Sequence, residues 1–253
     1  MRRIIAFIAL LSASFFTFAF ASVDDSLMRQ GNTAYQNGDY KLAVDCYQEI
    51  IDHGNEGAIL YYNLGNAYFK SKQTAEALLW YERALRLDPS NEDIKHNIAY
   101  ANLQITDKIE VLPELFIVRW WNALSKSMTV TGWAVMAVVF GAVFALSIAL
   151  MLVSRRRWLS VTAVTLAFIS LLIAVFSLIF ASKESKRYIQ QPEAIVMQSV
   201  VNAKGTPNES GVSLFVIHEG LKVAITDRVG TWVEIKLPNG EKGWVEDSSI
   251  EII

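Results

Sequence analysis

The chain has 253 residues, of which 53% are hydrophobic and only 19% charged, with a net charge of −2. That length allows two small domains beside a membrane segment, and the composition points to a membrane class. A charge so near neutrality argues against nucleic acid as a partner, and a single cysteine, Cys46, excludes an internal disulfide framework.

In chain order, Met1-Arg2-Arg3 is a basic start and Ile4 to Phe20 is apolar. Ala19-Phe20-Ala21 offers small residues where a signal peptidase reads, so residues 1–21 are expected to be a signal peptide. The alternative is an uncleaved anchor helix. Both keep Arg2 and Arg3 inside and send Asp24 and Asp25 outside.

Residues 22–110 repeat themselves. Gly31-Asn32 recurs as Gly65-Asn66, Ala43 as Ala77, Tyr47 as Tyr81 and Asn63 as Asn97, each 34 positions later. A period of about 34 signals helix–turn–helix tetratricopeptide repeats, here two full copies and a third, capping helix from Glu92. The second copy fits closely, with Tyr61, Leu64, Gly65, Tyr68, Ala77, Tyr81, Ala84 and Pro89. Lys72 stands where the turn glycine is usual, and Asn55 where proline is usual. Small residues let paired helices approach, and Pro89 ends the second helix because it lacks an N–H. Such units bury their apolar faces only by stacking.

The first helix of each copy builds the concave face. The spacing places Asn32 and Tyr35 there, then Tyr62, Asn66 and Phe69, then Tyr100, with Asn63 and Asn97 at the edge. Asparagine both donates to and accepts from an extended backbone, so these eight are the candidate peptide-binding residues; the same residues could instead only stabilise the stack. Some tetratricopeptide relatives clamp a terminal carboxylate with Lys and Arg, but Met28, Asp93 and Asn97 occupy those places, which argues against a carboxylate-terminal ligand.

Residues 111–130 mix Leu115, Phe116, Ile117, Val118, Trp120, Trp121 and Leu124 with Glu114, Arg119 and Lys126. This suggests an interfacial helix anchored by tryptophan, or an apolar patch for a partner. Two charge-free runs follow, Trp133–Val153 with 21 residues and Leu159–Ala181 with 23. Each is long enough to cross a hydrocarbon core of roughly 30 Å. The intervening 154–158 carries Arg155, Arg156 and Arg157, which places that loop in the cytoplasm and both flanking modules outside it. Small residues recur on both runs: Ala137, Gly141, Ala145 and Ala149 on the first, and Ala163, Ala167, Ser170, Ala174, Ser177 and Ala181 on the second. They favour close helix packing.

Residues 183–192 read as a polar linker and 193–253 as a small β module. Its strand candidates are Ala194–Val201, Ser213–Ile217, Lys222–Ile225, Trp232–Lys236 and Gly243–Val245, with Asn239-Gly240 as a hairpin turn. Lys204-Gly205-Thr206-Pro207, His218-Glu219-Gly220 and Gly243-Trp244-Val245 resemble a bacterial SH3 domain, which implies binding of cell-wall peptide or of protein. Trp232 and Trp244 read as core rather than ligand site.

The expected fold is therefore a multi-domain membrane protein: all-α tetratricopeptide repeats, a two-helix transmembrane hairpin and a small all-β SH3-like barrel. In that order the segments resemble the aerotolerance-operon BatE family. The resemblance implies an inner-membrane location, partners bearing von Willebrand A domains, a MoxR-type ATPase nearby, and a role in aerotolerance or envelope stress. No catalytic, cofactor or metal residues come with it. His53, His96 and His218 fall in separate segments, and no nucleophile or phosphate-loop motif occurs, so the chain is expected to be a non-enzymatic scaffold. The alternative is a membrane-anchored protein that binds cell-wall peptidoglycan. Cys46 reads as a small buried residue; a redox-sensing role would require its exposure.

Overall fold

A computed structural model describes residues 23–109, 115–190 and 192–253. The expected signal peptide and residues 111–114 of the expected interfacial helix lie outside the described residues. The described residues up to Asn55 form one compact unit and those from Glu56 a second.

The first unit is a helix pair, α1 (Val23–Gln36) and α2 (Tyr40–Asp52). Asp39 caps α2 by accepting from the Leu42 amide, which satisfies one of the unpaired first-turn donors. The second unit begins with the same motif, α3 (Ala58–Lys70) and α4 (Thr74–Leu87), followed by the third helix α5 (Glu92–Asn102), capped by Asn91.

The 34-residue period returns as repeated contacts. A Cβ added at Gly31 would lie 2.6 Å from the Tyr47 ring, and one added at Gly65 would lie 2.6 Å from Tyr81. Both tyrosines are buried, so the glycines are what allow each helix pair to close. Gly38 ends the first turn at φ +81°, and its counterpart Lys72 holds φ +63°. A side chain in that left-handed region costs about 1 kcal/mol or more. Lys72→Gly should therefore stabilise the second repeat by about 0.5–1 kcal/mol, less the entropy glycine loses on folding. A chemical denaturation midpoint that does not rise would refute this.

Two long helices follow the short α6 (Phe116–Ser125): α7 (Val130–Val153) and α8 (Arg157–Gln190). α7 and α8 are long and apolar enough to cross a membrane. They pack on each other while Val138, Leu146, Leu152, Phe168 and Leu178 remain exposed. On α8 the small stripe is the packing face, with Ala163, Ala167, Ser170, Ala174 and Ser177 all buried. On α7 only Ala137 of the expected stripe is buried. Ala145 and Ala149 are exposed and Ser147 takes the inner place.

The expected linker 183–192 is corrected. α8 runs unbroken to Gln190, because Lys, Glu, Arg and Gln are good helix formers and α6 holds the extension. Lys183 donates to Asn122 at 2.7 Å, the Ser125 hydroxyl donates to Glu184, and Trp121 lies 4.7 Å from the Phe180 ring. Trp133 also packs on Phe180 at 4.8 Å and donates to the Ser125 carbonyl at 2.9 Å. The opposite face of α6 leaves Phe116, Ile117 and Trp120 exposed.

The C-terminal module is an antiparallel seven-stranded sheet in the order β3-β2-β6-β5-β4-β1-β7. Its strands are β1 (Glu193–Val196), β2 (Val200–Lys204), β3 (Ser213–His218), β4 (Lys222–Val229), β5 (Trp232–Lys236), β6 (Lys242–Glu246) and β7 (Ile250–Ile252). The expected strand Ala194–Val201 is two strands. β1 pairs with β4 and β7, and after the bend at Gln198-Ser199 β2 pairs with β3 and β6. The core is Ala194, Val196, Val201, Ala203, Ile217, Leu221, Val223, Ile225, Val233, Ile235, Leu237, Val245 and Ile250. Trp232 and Trp244 are half-buried and outside it. Trp244 pairs with Glu234 and Lys204 in register, so both tryptophans share the opposite sheet face.

This sheet docks on the second repeat. Lys222 bridges Glu82 of α4 and Glu193 of β1, at 2.8 Å each. Arg83 pairs with Glu251 at 2.8 Å, and Asp107 accepts from the His218 amide at 2.6 Å while meeting its ring at 2.8 Å.

Candidate functional site

In the second unit the expected groove residues converge on one polar knot. Tyr81 donates its hydroxyl to the Asn66 side-chain carbonyl at 2.7 Å. The Asn97 amide donates to that same carbonyl at 2.8 Å and to the Tyr62 hydroxyl at 3.1 Å. The Asn66 carbonyl is thus doubly engaged and both Asn97 N–H groups are spent. The Asn66 amide hydrogens, the Asn97 carbonyl and the Tyr62 O–H have no protein partner among the described residues. No buried side-chain polar atom among the described residues lacks a partner, so the Asn66 amide nitrogen and the Asn97 carbonyl are open to the outside. A donor and an acceptor on adjacent helices match the alternating amide and carbonyl of an extended peptide.

Phe69 and Tyr100 extend the same face, with ring centroids 5.6 Å apart and Tyr100 exposed. Tyr62 also leans on Tyr81 at 5.9 Å. Asn63 is half-buried and has its own interaction within the fold.

In the first unit Asn32 accepts from the Tyr47 hydroxyl at 2.7 Å, the counterpart of Asn66 and Tyr81 one period earlier. Burial first, then the neighbouring Cys46 and Tyr35, pushes the Tyr47 phenol up to about 12. It therefore stays protonated and remains a donor at neutral pH. Tyr35 is half-buried and packs edge-on to Tyr40 at 5.4 Å. Cys46 is buried, and burial with nearby Glu49, Asp45 and Asp39 raises its thiol pKa. That is the opposite of what a reactive thiolate needs.

Sequence reasoning found the asparagines but not their coupling. Tyr62 is expected on the groove face and Tyr81 within the repeat pattern, and the hydroxyls of both orient the amides. The signal was present: Tyr47 and Tyr81 each stand 15 residues beyond their asparagines, Asn32 and Asn66. Among the described residues no three His, Cys, Asp or Glu side chains gather as a metal site.

Comparison with known proteins supports the helical reading. A family profile described as tetratricopeptide repeat matches residues 28–92. Residues 28–92 are tetratricopeptide repeats. The chain is 34% identical over 65 residues to the human tetratricopeptide repeat protein 6, covering 26% of this chain and 12% of that protein. It is 29% identical over 85 residues to the peroxisomal targeting signal receptor of Candida glabrata, covering 33% of this chain and 14% of the receptor. The chain thus spans about one seventh or less of each relative's length. Tetratricopeptide repeats are in general non-enzymatic and serve protein–protein interaction.

Proposed function

We propose that the chain is a non-enzymatic scaffold of the bacterial inner membrane whose repeats grip an extended segment of a protein partner. One observation carries this: the locked Asn66–Asn97 pair turns a free donor and a free acceptor outward beside exposed Tyr100. One relative is by name a targeting-signal receptor, which accords with recognition of a short segment.

The membrane placement is supported by two helices, each with a charge-free run of more than twenty residues, whose apolar side chains remain exposed, unlike the core helices of a soluble protein. The arginines between them favour a cytoplasmic loop, with the repeats and the sheet on the periplasmic side. α6, with Phe116, Ile117 and Trp120 exposed, suits the outer lipid interface. The small antiparallel sheet with its Gly243-Trp244-Val245 strand supports an SH3-like module. Membrane proteins bearing von Willebrand A domains, and a role in aerotolerance or envelope stress, are the partners and process that the order of segments suggests.

The test is capture from solubilised membranes with the wild-type chain and with Asn66→Ala/Asn97→Ala. The wild type should retain a von Willebrand A-domain protein, and the variant should lose at least about tenfold of it, equivalent to about 1.4 kcal/mol. An unchanged partner set would refute the groove.

A second reading rests on Trp232 and Trp244. Both lie outside the core, and the Lys204 ammonium sits 5.2 Å from the Trp232 ring centre. This aromatic and cationic sheet face suits a cell-wall peptide. Failure of the detergent-solubilised chain to sediment with purified peptidoglycan would dismiss it.

A further inference from the structure

A cavity of about 420 Å³ opens where α4, the α6–α7 turn, the end of α8 and β1 meet. Cationic side chains outnumber carboxylates in its wall, five against three: Arg86, Lys95, Lys126, Arg187 and Lys222 against Glu82, Glu184 and Glu193. Two of these cations are engaged, Lys95 with Glu92 at 2.8 Å and Arg86 with the Ile253 carbonyl, and the carboxylates are already served. Glu82 and Glu193 share Lys222, and Glu184 takes the Ser125 hydroxyl and lies 3.4 Å from Arg187.

Lys126 differs. Its ammonium has no hydrogen-bond or ion-pair partner among the described residues. Desolvation first, then Arg187 and Lys222 against the opposing pull of Glu193 and Glu184, pushes its pKa down. Lys126, Arg187 and Lys222 thus line one cavity, and Arg187 and Lys222 already have carboxylate partners there.

Depth indicates what could supply that charge. Arg187 lies six residues beyond Ala181, the end of the charge-free run, or about 9 Å along the helix. The headgroup layer on each side of a bilayer is about 5–8 Å thick. Lys126 enters the same cavity from the turn that precedes α7. Arg187 thus stands at the outer edge of that layer, where a long cationic side chain can snorkel back toward lipid phosphates.

We propose that this cavity seats the phosphate of an anionic phospholipid headgroup, held between Lys126 and Arg187. The inference rests on the membrane reading of α7 and α8. It gives the chain a lipid preference that the apolar helices alone would not. The chemistry is that of any phosphate, so the test must separate lipid from free anion.

The full chain, purified in detergent and stripped of lipid, is offered phosphatidylglycerol, phosphatidylcholine or inorganic phosphate, and binding is read by native mass spectrometry. Phosphatidylglycerol should bind about tenfold more tightly than phosphatidylcholine. Lys126→Gln/Arg187→Gln should erase the preference, and so should the surface variant Lys126→Glu, which leaves the Glu184–Arg187 contact in place. Equal retention of both lipids, or a preference that survives Lys126→Glu, would overturn the proposal. So would inorganic phosphate that binds the site without any lipid preference. If the chain needed no detergent and fractionated with soluble protein, the membrane reading itself would fall, a result distinct from the lipid arms.

Discussion

Replacing Gly220 with alanine should lower the thermal midpoint of the detergent-solubilised chain by about 6–12 °C, the equivalent of about 3 kcal/mol for a chain of this size. Two independent penalties meet at this residue. Gly220 holds φ +85°, a conformation that costs an L side chain about 1–2 kcal/mol. The added Cβ would also lie 2.6 Å from Ile105 Cγ2 and 3.3 Å from Leu78 Cδ1. Leu78 is buried in α4, so relief must come from parting the sheet and the repeat, and overpacking of this kind costs about 1–3 kcal/mol. Hydrogen exchange should therefore quicken in β1 and β4 before it does in α3. Exchange and melting that match the wild type would show that the β3–β4 turn does not carry the docking.

Lys222→Met should cost about 2–4 kcal/mol. It removes the one cation between Glu82 and Glu193 while keeping the side chain's bulk. The upper end of the range for buried pairs is not expected, because the Lys222 side chain keeps 35% of its exposure. In the wild type, burial alone would push the ammonium down, but Glu82 and Glu193 overcome that and raise it above its ordinary 10.5. Burial likewise opposes ionisation of Glu193, and Lys222, Arg187 and Lys126 outweigh it, holding that carboxyl below its ordinary 4.5. The raised lysine contributes in full below pH 10.5 and is lost as pH rises through its folded value. The lowered glutamate contributes above pH 4.5 and is lost as pH falls through its folded value. Wild-type stability should thus be flat from about pH 5 to 10 where these groups dominate. In Lys222→Met the paired carboxylates resist ionisation, so stability should fall as pH rises from about 4 to 7. A variant whose stability stays level over that interval would show that the bridge contributes nothing.

The repeats were legible because a glycine, an asparagine and a tyrosine must return together for each helix pair to close. The two long helices were legible because twenty or more residues without charge admit few uses. The polar stretch after Ala181 misled, since Lys183 and Glu184 read as solvent-facing and yet are bound by Asn122 and Ser125 sixty residues earlier. The strand over Ala194–Val201 looked continuous because its alternation survives a bend that only pairing partners reveal. Trp232 and Trp244 read as core in the sequence, whereas the register with Glu234 and Lys204 sets their face. Docking of the sheet left no local mark, because Lys222 and Glu82 stand 140 residues apart.

The continuation of α8 to Gln190 bears on reach. A loose tether would let the distal modules sweep a volume and raise the effective concentration of whatever they carry over many distances. A stiff rod of about 1.5 Å per residue fixes one stand-off height instead. Under the proposed placement, the β module and the repeat docked on it would select partners by how far their binding segment projects from the bilayer. A ligand of the right sequence on too short a stalk would go ungrasped.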